Sequence, residues 1–223
     1  MSRLIFIPVG SFEQHGPHLP PETDYLIAKK IAESIAENFS EKIIEGIKIG
    51  ISFEHGGFKN TKSITQEDFI SMFRKIINKI NENIKLVIIN AHGGNIQTLK
   101  IIESLYPKKT IILNIFSLVK DSLETYRTSE IGGICHAGEF ETSLMLFLYP
   151  QMVNMNKITK EDIVYVPSLD PNFKKKRMKD WKTIHLSKSG ILGDPYHASK
   201  KKGKKWYKNI IKKAIDIISS SFS

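Results

Sequence analysis

The chain has little cysteine and no long apolar segment. Cys135 is the single cysteine among 223 residues, which excludes an internal disulfide and the multi-cysteine spacing of a structural zinc site. No apolar run approaches the roughly 20 residues that a membrane-spanning helix needs, and residues 1–9 are too short for a secretory signal. We therefore predict a cytoplasmic protein that does not associate with the membrane.

Two common catalytic signatures are also missing. The sequence has no Gly-x-Ser-x-Gly turn of a serine hydrolase and no glycine-rich loop followed by Lys-Ser/Thr, so it offers no motif for a phosphate-binding transferase. Cys135 precedes His136, but neighbours in an extended segment point apart, and a small buried cysteine is the commoner role. Thiol catalysis is therefore the weaker interpretation.

The basic charge is unevenly distributed. The net charge is +10, yet residues 1–173 contain 18 basic and 20 acidic residues, whereas residues 174–213 contain 15 and 2. Such a segment can bind nucleic acid or an acidic surface, but it has no nucleic-acid-binding signature. We interpret it as a solvated helix face and do not expect a nucleic-acid partner. A non-catalytic binding or scaffold protein that acts through this region is the alternative to an enzyme.

The apolar pattern predicts an α/β fold. Hydrophobic residues make up 41% of the chain, enough for one core, so we predict a single domain over 1–223. Short apolar runs alternate with amphipathic helical patterns, which is typical of a three-layer αβα domain with a mostly parallel central sheet. The predicted strands are 4–9, 47–53, 86–90, 110–116 and, more weakly, 163–166. The predicted helices are 25–39, 66–80, one ending near 105, 139–149 and 199–218, with 174–177 as a surface loop over the site.

A segment rich in potential metal ligands follows the first strand. Residues 8–24 combine three carboxylates and two imidazoles with four prolines and two glycines, and such a rigid backbone holds ligands in place before a metal arrives. Glu13 and His15 would point to the same side of an extended chain. Asp24 begins the next helix and, taken alone, is as consistent with a helix cap. Its interpretation as a ligand depends on its neighbours.

Two further motifs lie beside predicted strand ends or helix starts. His92 follows the strand 86–90 and precedes two glycines, so its side chain would project at the carboxyl edge where α/β sheets bind ligands. Glu139 and Glu141 begin a helix two residues apart, so only one can easily enter the cleft, and Glu139 has a helix-terminus role as its alternative. These residues predict a hydrolytic metal site.

Together these motifs resemble the creatininase (creatinine amidohydrolase) family, over residues 5 to about 203. The resemblance rests on Gly10-Ser11-Phe12-Glu13-Gln14-His15-Gly16-Pro17-His18-Leu19-Pro20 with Thr23-Asp24, on Asn90-Ala91-His92-Gly93-Gly94-Asn95, and on His136-Ala137-Gly138-Glu139-Phe140-Glu141-Thr142-Ser143. A weaker fourth piece is Ser189-Gly190-Ile191-Leu192-Gly193-Asp194-Pro195 with Ala198, Ser199 and Gly203. Known members open cyclic amides such as creatinine, deformylate a formamidopyrimidine ribotide in archaea, or process a peptide-derived redox cofactor precursor.

The resemblance implies a mechanism and an assembly. Two divalent ions per chain, Zn, Mn or Fe, would be bound by Glu13 and His92 on one side and His15 on the other, with Asp24 bridging. A bridging hydroxide would attack the carbonyl carbon of a small-molecule substrate, cleaving a C–N bond other than a peptide bond, as in a cyclic amide or formamide. His136 matches the proton-transfer histidine of the family. The family also implies a homo-oligomer, such as a hexamer.

Two departures from the family pattern leave the substrate open. Members that hydrolyse creatinine have a metal-binding glutamate two residues after the histidine matching His92, and here that residue is Gly94. We expect Glu141 to replace it as the fifth ligand, with Glu139 as the alternative. Family members often have Phe-Pro-Gly-Thr after a strand-end histidine, whereas His55-Gly56-Gly57-Phe58 is followed by Lys59-Asn60-Thr61.

Overall fold

A parallel sheet brings the candidate ligands to one edge. The computed structural model describes residues 3–171 and 180–221, in which four parallel strands have the order β2-β1-β3-β4. The strands are β1 (Arg3–Val9), β2 (Lys42–Ile43), β3 (Ile84–Asn90) and β4 (Thr110–Asn114). The register pairs Val9 with Asn90 and Asn90 with Asn114. Strands β1, β3 and β4 therefore end side by side, and the loops that follow β1 and β3 start at the same level.

Helices cover both faces of this sheet, as the sequence predicts. The helices are α1 (Thr23–Phe39), α2 (Gln66–Ile77), α3 (Ile96–Leu105), α4 (Ile115–Tyr126), α5 (Glu139–Leu148), α6 (Thr183–Leu186) and α7 (Lys200–Ser220). Helices α1, α4, α5 and α7 pack on one face, against Phe6 and Val87, and α2 and α3 pack on the other, against Ile7 and Ile88. Side chains that alternate along each buried strand supply both cores. The three-layer α/β prediction is confirmed.

Two predicted strands differ from the structure and a third is absent. Within 47–53, only Ile47 makes a bridge, to Val9, because later backbone groups bond to side chains, including Ile51 N to Asn95 Oδ1 at 3.0 Å. The strand predicted at 110–116 ends at Asn114, whose side chain accepts from Phe116 N at 3.1 Å and begins α4, a helix the sequence reasoning did not predict. Residues 163–166 are irregular.

Helix α7 has the amphipathic pattern predicted for 199–218. Trp206, Ile210, Ala214 and Ile218 are buried, while most of its lysines face solvent, in agreement with a solvated basic face. Ser199 Oγ caps the helix by accepting from Lys202 N at 3.3 Å. The loop predicted at 174–177 lies outside the described residues. None of the helices in the described ranges is long and apolar enough to cross a membrane.

Candidate metal centre

Four segments converge at the carboxyl edge of β1 and β3. Glu13 and His15 lie on the loop after β1, Asp24 in the first turn of α1, His92 just after β3, and Glu141 in the first turn of α5. All five side chains are buried. The five residues predicted as metal ligands are thus together in one place.

Asp24 lies between two imidazoles. Its Oδ1 is 3.1 Å from His15 Nε2, and its Oδ2 is 2.9 Å from His92 Nδ1. Ser11 Oγ donates to Oδ2 at 2.9 Å. Asp24 is the second residue of α1, after Glu22 in the cap position, so it does not cap the helix. The carboxylate therefore spans the centre with one oxygen toward each histidine.

Backbone carbonyls fix the orientation of both histidines. His92 Nε2 donates to Ile51 O at 2.9 Å, so its Nδ1 faces Asp24 and Glu13. His15 Nδ1 donates to Glu13 O at 3.0 Å, so its Nε2 faces Asp24 and lies 3.8 Å from Glu141 Oε2. Metal-binding histidines typically use one nitrogen for the metal and donate the other N–H to a fixed acceptor. Both rings have this arrangement.

The two glutamates of α5 point in different directions. Glu141 Oε2 accepts from Ala137 N at 2.7 Å and faces His15. Glu139 is directed away from the centre, where its carboxylate accepts from Thr128 N and Ser129 N and pairs with Lys202. Of these two glutamates, only Glu141 therefore faces the centre.

Packing explains why residue 94 has no side chain. A Cβ at Gly94 would lie 2.1 Å from Ile51 O and 2.9 Å from Glu54 Oε1, whereas nothing lies within 4 Å of a Cβ at Gly93. The Ile51 carbonyl is backbone and also holds His92. A glutamate ligand at position 94 is therefore incompatible with this loop.

Burial of three carboxylates beside several imidazoles shifts their pKa values strongly. Burial raises the pKa of Glu13 to about 7 and that of Glu141 to about 8. Burial also disfavours charged His15 and His92, but the carboxylates of Asp24 and Glu13 outweigh it and raise both histidine pKa values to about 10. These shifts favour the protonated form of the ligands when no cation offsets the buried charge.

The donor set fits divalent ions. Both Oε atoms of Glu13 are buried, and neither accepts a hydrogen bond of ordinary geometry from the described residues, although three imidazole nitrogens lie 3.3–3.5 Å from Oε1. This arrangement is costly unless a cation satisfies the carboxylate. Ligand atoms lie within 4.8 Å of one another in three groups: Glu13 with His15 and Asp24, His15 with His136 and Glu141, and Glu13 with His55 and His136. Mixed carboxylate and imidazole donors suit Zn, Mn or Fe.

The sequence reasoning did not include two residues that line the centre. His55 Nε2 lies 3.3 Å from Glu13 Oε1, and Gln14 Nε2 lies 2.9 Å from His55 Nδ1. The signal for His55 was its place at the end of the predicted strand 47–53, the same kind of junction as His92. His18, the second imidazole of the ligand-rich segment, instead bonds to Thr142 Oγ1 at 2.9 Å.

A cavity of about 560 Å³ opens onto this centre. Glu13, His92, His136 and Glu141 line its inner end. Its other walls include Glu54, Lys100, Phe116, Lys120, Cys135 and Trp181. The cavity therefore has space for a small molecule or for one segment of a longer one, beside both charged and aromatic side chains.

Comparisons with known proteins agree over nearly the whole chain. A profile of the Creatininase family, described as Creatinine amidohydrolase, matches residues 1–218. The mycofactocin precursor peptide peptidase of Mycolicibacterium smegmatis is 28% identical over 98% of this chain and 85% of its own length. The creatinine amidohydrolase of Pseudomonas putida is 26% identical over 75% of this chain and 72% of its own. The solved structure "Creatininase Mn" superposes with a TM-score of 0.82 at 23% identity, covering 99% of this chain and 91% of that one. The chain therefore belongs to the creatininase family of metal-dependent amidohydrolases.

Proposed function

We propose that this protein is a binuclear metal-dependent hydrolase that cleaves a C–N bond other than a peptide bond in a small molecule, such as a cyclic amide or formamide. The observation that carries the proposal is the carboxylate of Asp24, which presents one oxygen to His15 and the other to His92. In this arrangement, Glu13, His92 and Asp24 would hold one ion, and His15, Glu141 and Asp24 would hold the other.

The ligand chemistry favours Zn, Mn or Fe at both positions. Relatives support this choice, since similar solved structures include a manganese creatininase and a mutant creatininase of Zn-Zn type. When bound, two such ions would lower the pKa of a water molecule and stabilise negative charge on a carbonyl oxygen. The buried carboxylates would hold both ions where the cavity meets the centre, and the substrate carbonyl would be bound there.

We assign proton transfer to His136. Its Nε2 donates to Gln14 O at 2.6 Å, so Nδ1 is left unprotonated, 3.5 Å from Glu13 Oε1, and faces the cavity. Burial and the neighbouring imidazoles of His55 and His15 hold the pKa of His136 well below its ordinary value. A neutral Nδ1 at this place accepts a proton from the attacking water and delivers it to the leaving nitrogen.

Peptide cleavage is the second candidate activity. It is favoured by relatives named as mycofactocin precursor peptide peptidases, which are 26–29% identical over 92–98% of this chain. The same centre would then act on a peptide carbonyl, with the rest of the peptide lying along the cavity. A hydrolysis panel of cyclic amides, formamides and short peptides separates the two activities.

Metal analysis of matched variants tests the centre itself. We expect two divalent ions per wild-type chain, none tightly held by Asp24→Ala, and one by Glu141→Gln. Glu139→Gln is the control and should keep both ions, because its carboxylate faces Lys202 rather than the centre. His136→Gln should keep both ions and lose about 100-fold or more in turnover. A wild-type protein that refuses divalent ions would refute the proposal.

A further inference from the structure

We propose that His55 is a positioning residue of the metal centre, which presents an N–H group to the Glu13 carboxylate instead of binding an ion itself. The inference rests on the proposed function, because Glu13 must be a ligand for the role to matter. It goes beyond the ligand set, because a ring nitrogen of His55 lies within 4.8 Å of potential ligand atoms of Glu13 and His136, close enough for the three to share an ion. The question is which of the two ring nitrogens carries the proton.

The amide of Gln14 determines which nitrogen of His55 carries the proton. Gln14 Oε1 accepts from Gly16 N at 3.1 Å, so the amide nitrogen lies on the other side. Its nitrogen lies 3.2 Å from Gly190 O, 2.9 Å from His55 Nδ1 and 3.2 Å from His136 Nε2. His136 Nε2 already donates to Gln14 O, so the two amide hydrogens go to Gly190 O and His55 Nδ1. Nδ1 therefore accepts a hydrogen bond, and the proton of a neutral His55 ring must be on Nε2.

The hydroxyl of Thr183 is compatible with the same tautomer. Thr183 Oγ1 lies 2.9 Å from His55 Nδ1 and can donate to it. His55 is 2% exposed and Glu13 1%, so water does not compete at this contact.

His55 differs in this respect from the other two imidazoles around Glu13 Oε1. His55 Nε2, His92 Nδ1 and His136 Nδ1 lie 3.3, 3.4 and 3.5 Å from that oxygen. His92 and His136 direct their opposite nitrogens to the carbonyls of Ile51 and Gln14, so the neutral ring of each, the form that binds a metal, presents a lone pair to the centre. His55 alone of the three presents a proton. A lone pair can bind a metal, whereas an N–H can only bond to a carboxylate.

Residues on the far side of Gln14 and His55 pack against them, and one of these residues, Gly190, belongs to the weak fourth motif. Gly190 has a φ of +88°, and a Cβ there would lie 1.7 Å from Gln14 Oε1. Trp181 packs edge-on against the His55 ring with centroids 5.8 Å apart. Residues 181–190 therefore hold Gln14 and His55 in place, and through them the direction of the Glu13 carboxylate. Hydrogen bonds to ligating groups commonly change metal affinity by about 10–100-fold.

Two substitutions at His55 test the assignment. His55→Leu removes the N–H, while His55→Gln keeps a donor that can reach Glu13 and an oxygen that can accept from Gln14. We expect His55→Leu to bind two Co²⁺ ions at saturation, with one of them about 10–100-fold more weakly and with an altered visible absorption band. His55→Gln should restore most of the affinity and the band. Competition against a chromophoric chelator measures the affinity without recourse to activity.

His18→Gln is the matched control, since His18 is also buried but contacts Thr142 rather than Glu13; its Co²⁺ affinity should equal that of wild type. If His55→Leu lost one ion even at saturation and Gln did not restore it, His55 would be a ligand, and the assignment would be overturned. Equal affinities in wild type and His55→Leu would overturn it too, while leaving the binuclear proposal intact. Failure of the wild-type chain to bind Co²⁺ would instead refute the proposed function.

Discussion

At the scale of single residues, the two glycines after His92 have opposite surroundings. A Cβ at Gly94 overlaps the Ile51 carbonyl that holds His92, while a Cβ at Gly93 meets open space. We predict that Gly94→Ala lowers stability by about 1–3 kcal/mol, as overpacking does, and weakens metal binding because Ile51 must move. Gly93→Ala should change neither the urea midpoint nor the metal affinity. Equal effects of the two substitutions would contradict this account of residue 94.

His18 gives the protein a predictable sensitivity to acid. Burial lowers the pKa of His18 from 6.5 to about 3, with a further contribution from His15. Above pH 6.5 the ring is neutral in both states; below it the unfolded chain binds a proton that the folded chain does not, so stability falls with pH. The loss should be about 2 kcal/mol between pH 6.5 and 5. Urea titrations with a chelator present should show a shallower pH dependence for His18→Gln, and equal slopes would contradict the prediction.

The sequence predicted ligand types better than it predicted their supports. Glu13, His15, Asp24 and His92 follow from residue chemistry beside strand ends. Spacing indicated that only one of Glu139 and Glu141 could enter the cleft, but it did not decide which. The roles of Gln14 and His55 were not predicted. They depend on contacts with residues that lie far away in the sequence, such as Gly190 and Thr183. Hydrogen bonds between such distant residues leave no periodic pattern in the chain.

At the scale of elements, α5 and α7 cross unusually closely. A Cβ at Gly203 would lie 1.9 Å from Ser143 O, and Ser143 Oγ also accepts from Ser199 N at 3.0 Å. We predict that Gly203→Ala, although favourable for an isolated helix, costs about 1–3 kcal/mol by forcing the helices apart. Lys204→Ala on the exposed side of α7 is the control. The Tm values of the two variants, measured by thermal unfolding, test this prediction. A Gly203→Ala protein as stable as wild type would contradict the close crossing.

Element prediction succeeded where burial and periodicity agree. Strands β1 and β3 are continuous apolar runs buried on both faces, and α7 has a single apolar face, so each is read directly from the sequence. Residues 110–126 were harder, because Ile115 and Phe116 continue the apolar run of β4 while the Asn114 side chain starts a helix. Segment 47–53 has the apolar pattern of a strand, but the backbone of Ile51 bonds to the side chains of His92 and Asn95 instead of to a neighbouring strand.

At the scale of the whole molecule, bound metal should contribute to stability. Ions that bind only the folded chain stabilise it by about 2.7 kcal/mol at a concentration 100 times Kd. We predict that chelation lowers the Tm of the wild-type protein and that re-addition of Zn²⁺ or Mn²⁺ restores it. Asp24→Ala should unfold at one temperature with or without chelator. If the chelator left the Tm of the wild-type protein unchanged, that result would contradict the presence of bound ions. The cytoplasmic location and homo-oligomeric assembly remain predictions.

The proposed ligands of the two ions are synthesised at different times, because they lie at different positions along the chain. Glu13, Asp24 and His92 all precede α4, and β1 and β3, which bring them together, are complete by residue 90. The other ion needs Glu141, which follows about 50 residues later, a few seconds or more of translation. One half of the centre can thus form on a nascent chain, whereas the other must wait until α5 has left the ribosome and packed.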